Sequence, residues 1–176
     1  MSGKQNVVCL WTILLSLFFC DLWAQEMVDR AVVKSGQAPF FHGIASGDPL
    51  PDAVILWTRI TPSSGAMDSI PVQWMISTDP QFSQIANFGS ALALADEDFT
   101  VKVDVCGLQP ATYYYYLFHA EGKNSVTGRT KTAPSGPVSN LKFGVASCSN
   151  LPNGYFNAYA DMADRHNDMD LSLIHI

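Results

Sequence analysis

Hydrophobic and polar residues alternate in several short segments between residues 38 and 133. The apolar positions of two such segments are Val72, Trp74 and Ile76, and Val101, Val103 and Val105. A period of two is typical of a strand with one buried and one solvated face. Turn-forming clusters separate the segments, which number about seven in about 100 residues. The pattern predicts an all-β, antiparallel sandwich of immunoglobulin or fibronectin type III character.

A tight turn is predicted between two of these strands. Gly107 and Pro110 turn the chain, and Tyr114 follows the proline by four residues. A tyrosine at this position can direct its hydroxyl back to upstream backbone, in the arrangement known as a tyrosine corner. We therefore predict a structural role for Tyr114 rather than ligand stacking.

The strand pattern ends in a segment rich in proline and glycine. Residues 134–140 lack apolar periodicity and predict an interdomain linker. Beyond it, Leu141–Ala146 predicts a strand and Tyr155–Arg165 an amphipathic helix. We therefore expect a sandwich domain over residues 36–133 and the truncated start of an α/β domain over residues 141–170.

The first 24 residues have the pattern of a secretory signal peptide. Lys4 precedes the apolar stretch Val7–Cys20, and the small residue Ala24 stands before Gln25. A retained anchor is the alternative, although the apolar stretch is short for a membrane span. No twin-arginine pair occurs, which favours a Sec-type route. The prediction is a secreted or periplasmic protein without membrane attachment after signal cleavage.

Composition and charge exclude two classes of partner. The chain is 48% hydrophobic and 15% charged, as in a folded globular protein. Its 10 Lys and Arg residues against 16 Asp and Glu residues give a net charge of −6. Because no basic run occurs either, we expect no binding of nucleic acid or of anionic lipid.

Two cysteines follow the predicted leader. Cys106 at a strand end is predicted to be a packing residue. Cys148 ends a strand before a helix, at the sheet edge where α/β enzymes place ligands. A thiol there can be a metal ligand, a nucleophile or inert packing, and the local sequence alone favours packing. His42, His119 and His166 have no partner spacing that indicates a metal site.

A series of motifs, specific in combination, stands in order along the chain. They are His42–Pro49 with Val54–Arg59, Val101–Pro110, Tyr114–Tyr116, Gly128–Pro134 and Phe143–Asn150, the last running on to Gly154–Tyr159. Over residues 36–170 the chain closely resembles the PhoD-type alkaline phosphatase and phosphodiesterase family.

The resemblance implies a β-sandwich followed by a calcineurin-like metallophosphoesterase domain that hydrolyses phosphate monoesters and diesters outside the cytoplasm. Family members hold Fe³⁺ and Ca²⁺, and Cys148 matches an iron ligand of the family. A thiolate suits iron, whereas calcium prefers oxygen donors. The metals would polarise phosphoryl oxygens and activate water. Cys148 is thus the predicted metal ligand, whereas no catalytic residue is predicted in this chain and the substrate-binding residues stay unassigned.

The resemblance also implies segments that this sequence lacks. Family members continue past the position of Asp170 into a Gly-Asp-x-x-Tyr-Glu type segment and further ligands. Here Leu171–Ile176 follows, which is a translation of CTGTCTCTTATACACATC, the mosaic end of a common transposase sequencing adapter. We predict that residues 171–176 are an artefact and do not count His175 as a ligand.

Two functional hypotheses follow. The first is an N-terminal fragment of a secreted phosphoric ester hydrolase, inactive by itself because one candidate ligand cannot hold a multinuclear metal site. The second is a non-enzymatic secreted β-sandwich binding module that only shares the fold.

Overall fold

A computed structural model of the chain describes residues 37–65, 67–147, 156–165 and 168–175. The strands are β1 (Ile44–Gly47), β2 (Ala53–Arg59), β3 (Ser69–Ser77), β4 (Ile85–Leu94), β5 (Thr100–Cys106), β6 (Tyr113–Ala120), β7 (Lys123–Asn124), β8 (Gly128–Lys131), β9 (Phe143–Ser147) and β10 (Leu171–His175). Within these ranges one α-helix, α1, spans Asn157–Arg165, and a 3₁₀ turn spans Ala95–Glu97.

The strands β1–β8 form two antiparallel sheets. One has the order β1-β2-β5, and the other has the order β4-β3-β6-β7 with β8 also paired to β6. The core lies between the two sheets and draws on both of them. This architecture confirms the predicted all-β sandwich of fibronectin type III character.

The core follows the alternation seen in the sequence. Val72 and Ile76 are fully buried on β3, whereas Gln73 between them is exposed. On β5 the buried residues are Val101 and Val105. Burying an aliphatic side chain of this size contributes about 1.5–3 kcal/mol, so the buried faces of β3 and β5 help to hold the two sheets together.

Two aromatic rings pack directly over glycines of the neighbouring strand. A Cβ atom at Gly89 would lie 2.7 Å from the Trp74 ring, and one at Gly128 would lie 2.5 Å from the Tyr116 ring. Both distances are too short for a real Cβ contact. The two glycines therefore leave the space that the rings of Trp74 and Tyr116 occupy.

The predicted tyrosine corner is confirmed. The backbone N–H of Gln109 donates a 2.8 Å hydrogen bond to the hydroxyl of Tyr114. Tyr114 is only 2% exposed, and Gly107 supplies the positive φ of 79° at the preceding turn. The residue is part of the sandwich framework, as the spacing of Pro110 and Tyr114 predicts.

The segment after the sandwich forms a second, smaller unit. Residues 132–142 contain no helix or strand. Strand β9 then pairs in parallel with β10 over five residue pairs, from Phe143 with Leu171 to Ser147 with His175. Helix α1 separates them in the chain and contacts β9. A strand and a helix occur where the sequence predicts them, with β9 and α1 each starting two residues later than expected.

Several predictions lie outside the described residues, namely the leader over residues 1–24, His166 and Cys148. The domain boundaries and the artificial origin of residues 171–176 stay predictions, because the pairing of β9 with β10 tests neither of them. None of the helices in the described ranges is long and apolar enough to cross a membrane.

Candidate functional site

The carboxyl end of β9 is the place at which the sequence predicts a metal ligand. The strand ends at Ser147, immediately before Cys148. Its parallel neighbour β10 ends at His175, the register partner of Ser147. The carboxyl ends of parallel strands form the sheet edge at which α/β proteins bind ligands. Cys148 itself lies outside the described residues, and its role as a ligand stays a prediction.

The described residues do not supply a donor set for Fe³⁺ or Ca²⁺. No group of three or more His, Cys, Asp or Glu side chains that could hold a metal ion occurs among residues 37–65, 67–147, 156–165 and 168–175. A ferric site needs several anionic or imidazole donors, and a calcium site needs six to eight oxygens.

Cys106 is exposed, so the prediction that it is a packing residue is wrong. Val105 faces the core, and the next residue along a strand must face outward. The charge of Asp104 raises the pKa of the Cys106 thiol, with smaller contributions from burial and from the hydrogen bond between the two side chains. A raised pKa keeps the thiol protonated near neutral pH and lowers its reactivity.

His42 belongs to a structural cluster at one end of the sandwich. Arg59 donates hydrogen bonds of 2.9 and 2.7 Å to the carboxylate of Asp98 and also donates to Nε2 of His42. Burial and the nearby Arg59 charge lower the pKa of His42. The ring is therefore a neutral acceptor that helps to hold β2 against the loop before β5. His119, which contacts Asn124 over 2.7 Å, is likewise a partnered surface residue.

A second charged cluster joins the sandwich to the smaller unit of β9, α1 and β10, hereafter the α/β unit. Nζ of Lys131, on β8, donates a 2.5 Å hydrogen bond to Oδ1 of Asp170. The backbone N–H of Lys142 donates to Oδ2 of the same carboxylate at 2.9 Å. The hydrogen bond with Lys131, followed by that with Lys142, lowers the pKa of Asp170, and the bond to Asp170 raises the pKa of Lys131. Both groups are charged at neutral pH.

The aromatic ring of Tyr113 lies next to this cluster. The guanidinium of Arg129 lies 4.9 Å from the ring centroid, and Nζ of Lys131 lies 5.0 Å from it. At such distances the ring attracts both cations and helps to keep them on this face of the sheet. Sequence reasoning missed the cluster because Lys131 and Asp170 are far apart in the chain and no spacing rule connects them.

A cleft of about 370 Å³ separates the sandwich from the α/β unit. Its walls come from β1, β6 and β8 on one side and from α1 and the start of β10 on the other. The Tyr159 hydroxyl is buried without a hydrogen-bond partner in the described part of the chain. The contact between Lys131 and Asp170 lies at the wall of this cleft.

Comparison with known proteins agrees with this architecture. The family model described as "PhoD-like phosphatase, N-terminal domain" matches residues 25–134. The chain is 39% identical over 138 residues to alkaline phosphatase D of Bacillus subtilis, covering 74% of this chain and 24% of that protein. The solved structure of PhoD superposes with a TM-score of 0.70 at 37% identity, covering 78% of this chain and 27% of that one.

The sandwich and these matches together define the class as a PhoD-like phosphatase N-terminal domain. The chain belongs to the PhoD-like phosphatase family, matched through its N-terminal domain. It spans about a quarter of the length of the relatives it matches.

Proposed function

We propose that this chain is the N-terminal part of a secreted or periplasmic enzyme that hydrolyses phosphate monoesters or diesters by metal-activated water. The observation that carries the proposal is the 39% identity to alkaline phosphatase D over 138 residues. Secretion rests on the pattern of the first 24 residues, with the family match beginning at residue 25.

The chain alone is proposed to be inactive. The described residues hold no metal-ligating group of three or more side chains, and Cys148 by itself cannot retain Fe³⁺ and Ca²⁺. The purified chain, supplied with both ions, should not hydrolyse p-nitrophenyl phosphate or bis-p-nitrophenyl phosphate above a no-protein blank. Metal-dependent turnover by the purified chain would refute this part of the proposal.

Cys148 is proposed as an iron ligand in the full-length protein. It directly follows β9 in the sequence, and a ferric ion favours a thiolate donor. A Cys148→Ser change should lower the iron content and the activity together while the sandwich stays folded. Cys106→Ser is the matched control, since this exposed thiol lies on the sandwich. Iron stoichiometry and turnover that both survive Cys148→Ser would leave a packing thiol as the better interpretation.

Residues 171–176 are proposed to be foreign to the native protein. The support is the match of Leu171–Ile176 to an adapter translation. Genomic DNA read past codon 170 should continue into a Gly-Asp-x-x-Tyr-type segment. Finding these six codons followed by a stop codon in that DNA would overturn the proposal and favour a separate binding module.

A further inference from the structure

The segment between the two units is held at both of its ends. At the first end, the Thr132 hydroxyl donates a 2.6 Å hydrogen bond to the carbonyl of Gln109, and the Ala133 N–H donates to the carbonyl of Leu50 at 3.1 Å. At the other end, Lys142 and Asp170 exchange backbone and side-chain hydrogen bonds of 2.9 Å. What lies between is a loop over residues 134–141.

Asp170 connects these two ends directly. One carboxylate oxygen accepts from Lys131, just before the loop, and the other accepts from the backbone of Lys142, just after it. The side chains of Lys131 and Asp170 are only 25% and 22% exposed. A partly buried ion pair is screened less by salt than a surface pair, and breaking it leaves a charge without its partner.

We infer that Asp170 fastens the α/β unit to the sandwich, through a docking surface formed by Lys131, Tyr113 and Arg129. The connection over residues 134–141 is then a loop with both ends fixed rather than a flexible linker. The docking surface binds a segment of this same chain, residues 168–170, which directly precedes β10. The inference is independent of the proposed activity, because every contact in it lies within the described residues.

Of the two aspartates before β10, Asp170 is the one whose ion pair reaches the sandwich. Asp168 is also paired, with the Nζ of Lys142, but these side chains are 63% and 56% exposed and both belong to the α/β unit. The Asp168 pair therefore does not cross to the sandwich. It provides a control with the same charge, in the same segment.

Hydrogen exchange measured by mass spectrometry on the whole chain tests the inference. Asp170→Asn keeps the shape of the side chain and an oxygen that can accept from Lys142, but it loses the charge that pairs with Lys131. Amides in peptides covering residues 134–141 should exchange several-fold faster in Asp170→Asn and in Lys131→Met. They should exchange as in the unsubstituted chain in Asp168→Asn.

The double variant separates one shared interaction from two independent effects. If Lys131 and Asp170 act through each other, Lys131→Met with Asp170→Asn should exchange no faster than either single variant. Unchanged exchange of peptides from β3 and β6 verifies that the sandwich is folded. Should Asp170→Asn fail to fold, Lys131→Met carries the test alone.

Three results would overturn the inference. They are loop exchange in Lys131→Met equal to that of the unsubstituted chain, an Asp168→Asn effect as large as that of Asp170→Asn, and additive effects in the double variant. None of these readouts depends on hydrolysis, so failure of the docking inference and failure of the proposed enzyme are distinguishable.

Discussion

The Tyr114 hydroxyl is a single group that stabilises the turn between β5 and β6. It accepts the hydrogen bond of the Gln109 N–H at 2.8 Å in a site where Tyr114 is 2% exposed. Tyr114→Phe should lower the free energy of unfolding by about 0.5–1.5 kcal/mol, because the turn loses this part-buried hydrogen bond. Urea unfolding followed by tryptophan fluorescence measures the change.

Tyr115→Phe is the matched control for that substitution. Tyr115 is the next residue on β6 and faces the opposite side of the sheet, outside the corner. Its free energy of unfolding should change by less than about 0.5 kcal/mol. Equal effects of the two substitutions would contradict the structural role of the corner.

The Asp79 carboxylate organises the loop between β3 and β4. It accepts hydrogen bonds from the backbone of Gln84 at 2.8 Å, from the backbone of Gln81 at 3.0 Å and from the Ser77 hydroxyl at 3.0 Å. Desolvation would raise the pKa of Asp79, but hydrogen bonds from Ser83, Gln84 and Ser77 outweigh it and lower the pKa from 3.8 to about 2. The folded state therefore favours the ionised form.

This lowered pKa predicts a pH dependence. A group whose pKa is lower in the folded state contributes its full stabilisation above the unfolded pKa and loses it as pH falls through the folded pKa. The free energy of unfolding should therefore fall between pH 3.8 and pH 2 through Asp79. Asp79→Asn should fall less steeply over that interval in urea titrations. Parallel curves for the two proteins would show that Asp79 does not contribute.

At the scale of an element, Gly128 determines whether β8 can pack on β6. A Cβ atom there would lie 2.5 Å from the ring of Tyr116, which is 3% exposed and cannot swing into solvent. Gly128→Ala should therefore cost about 1–3 kcal/mol of stability through overpacking. Gly136→Ala, in the loop where no atom lies within 4 Å of an added Cβ, is the control. Thermal unfolding should show a lower melting temperature for the first substitution only.

The elements differ in how far the sequence predicts them. A period of two predicts the buried faces of β3 and β5, and the spacing from Pro110 to Tyr114 predicts the corner, because both signals are local. The same period predicts that Cys106 faces away from the core when Val105 faces it, so the exposure of Cys106 follows from the sequence pattern. The pair of Lys131 and Asp170 could not be predicted, because only tertiary docking brings β8 and the residue before β10 together.

For the whole molecule, the distribution of the core predicts an independently folding sandwich. Every buried residue of the main hydrophobic cluster lies between Phe40 and Ala120. A fragment of residues 36–133 should therefore unfold cooperatively in urea, since about 100 residues can bury an adequate core. Its midpoint should lie near that of the sandwich signal in the whole chain. A fragment without a cooperative transition would show that the α/β unit is required.

Strand β4 has a consequence for how this chain behaves at high concentration. It lies at the edge of its sheet and carries no charged residue in Ile85–Leu94, and Phe88 and Leu92 are 73% and 57% exposed. A long, uncharged edge strand with exposed apolar side chains is a template for edge-to-edge aggregation. Ser90→Lys, at an exposed position of this strand, places a charge there and should keep the protein monomeric at concentrations where the unsubstituted chain aggregates in light scattering.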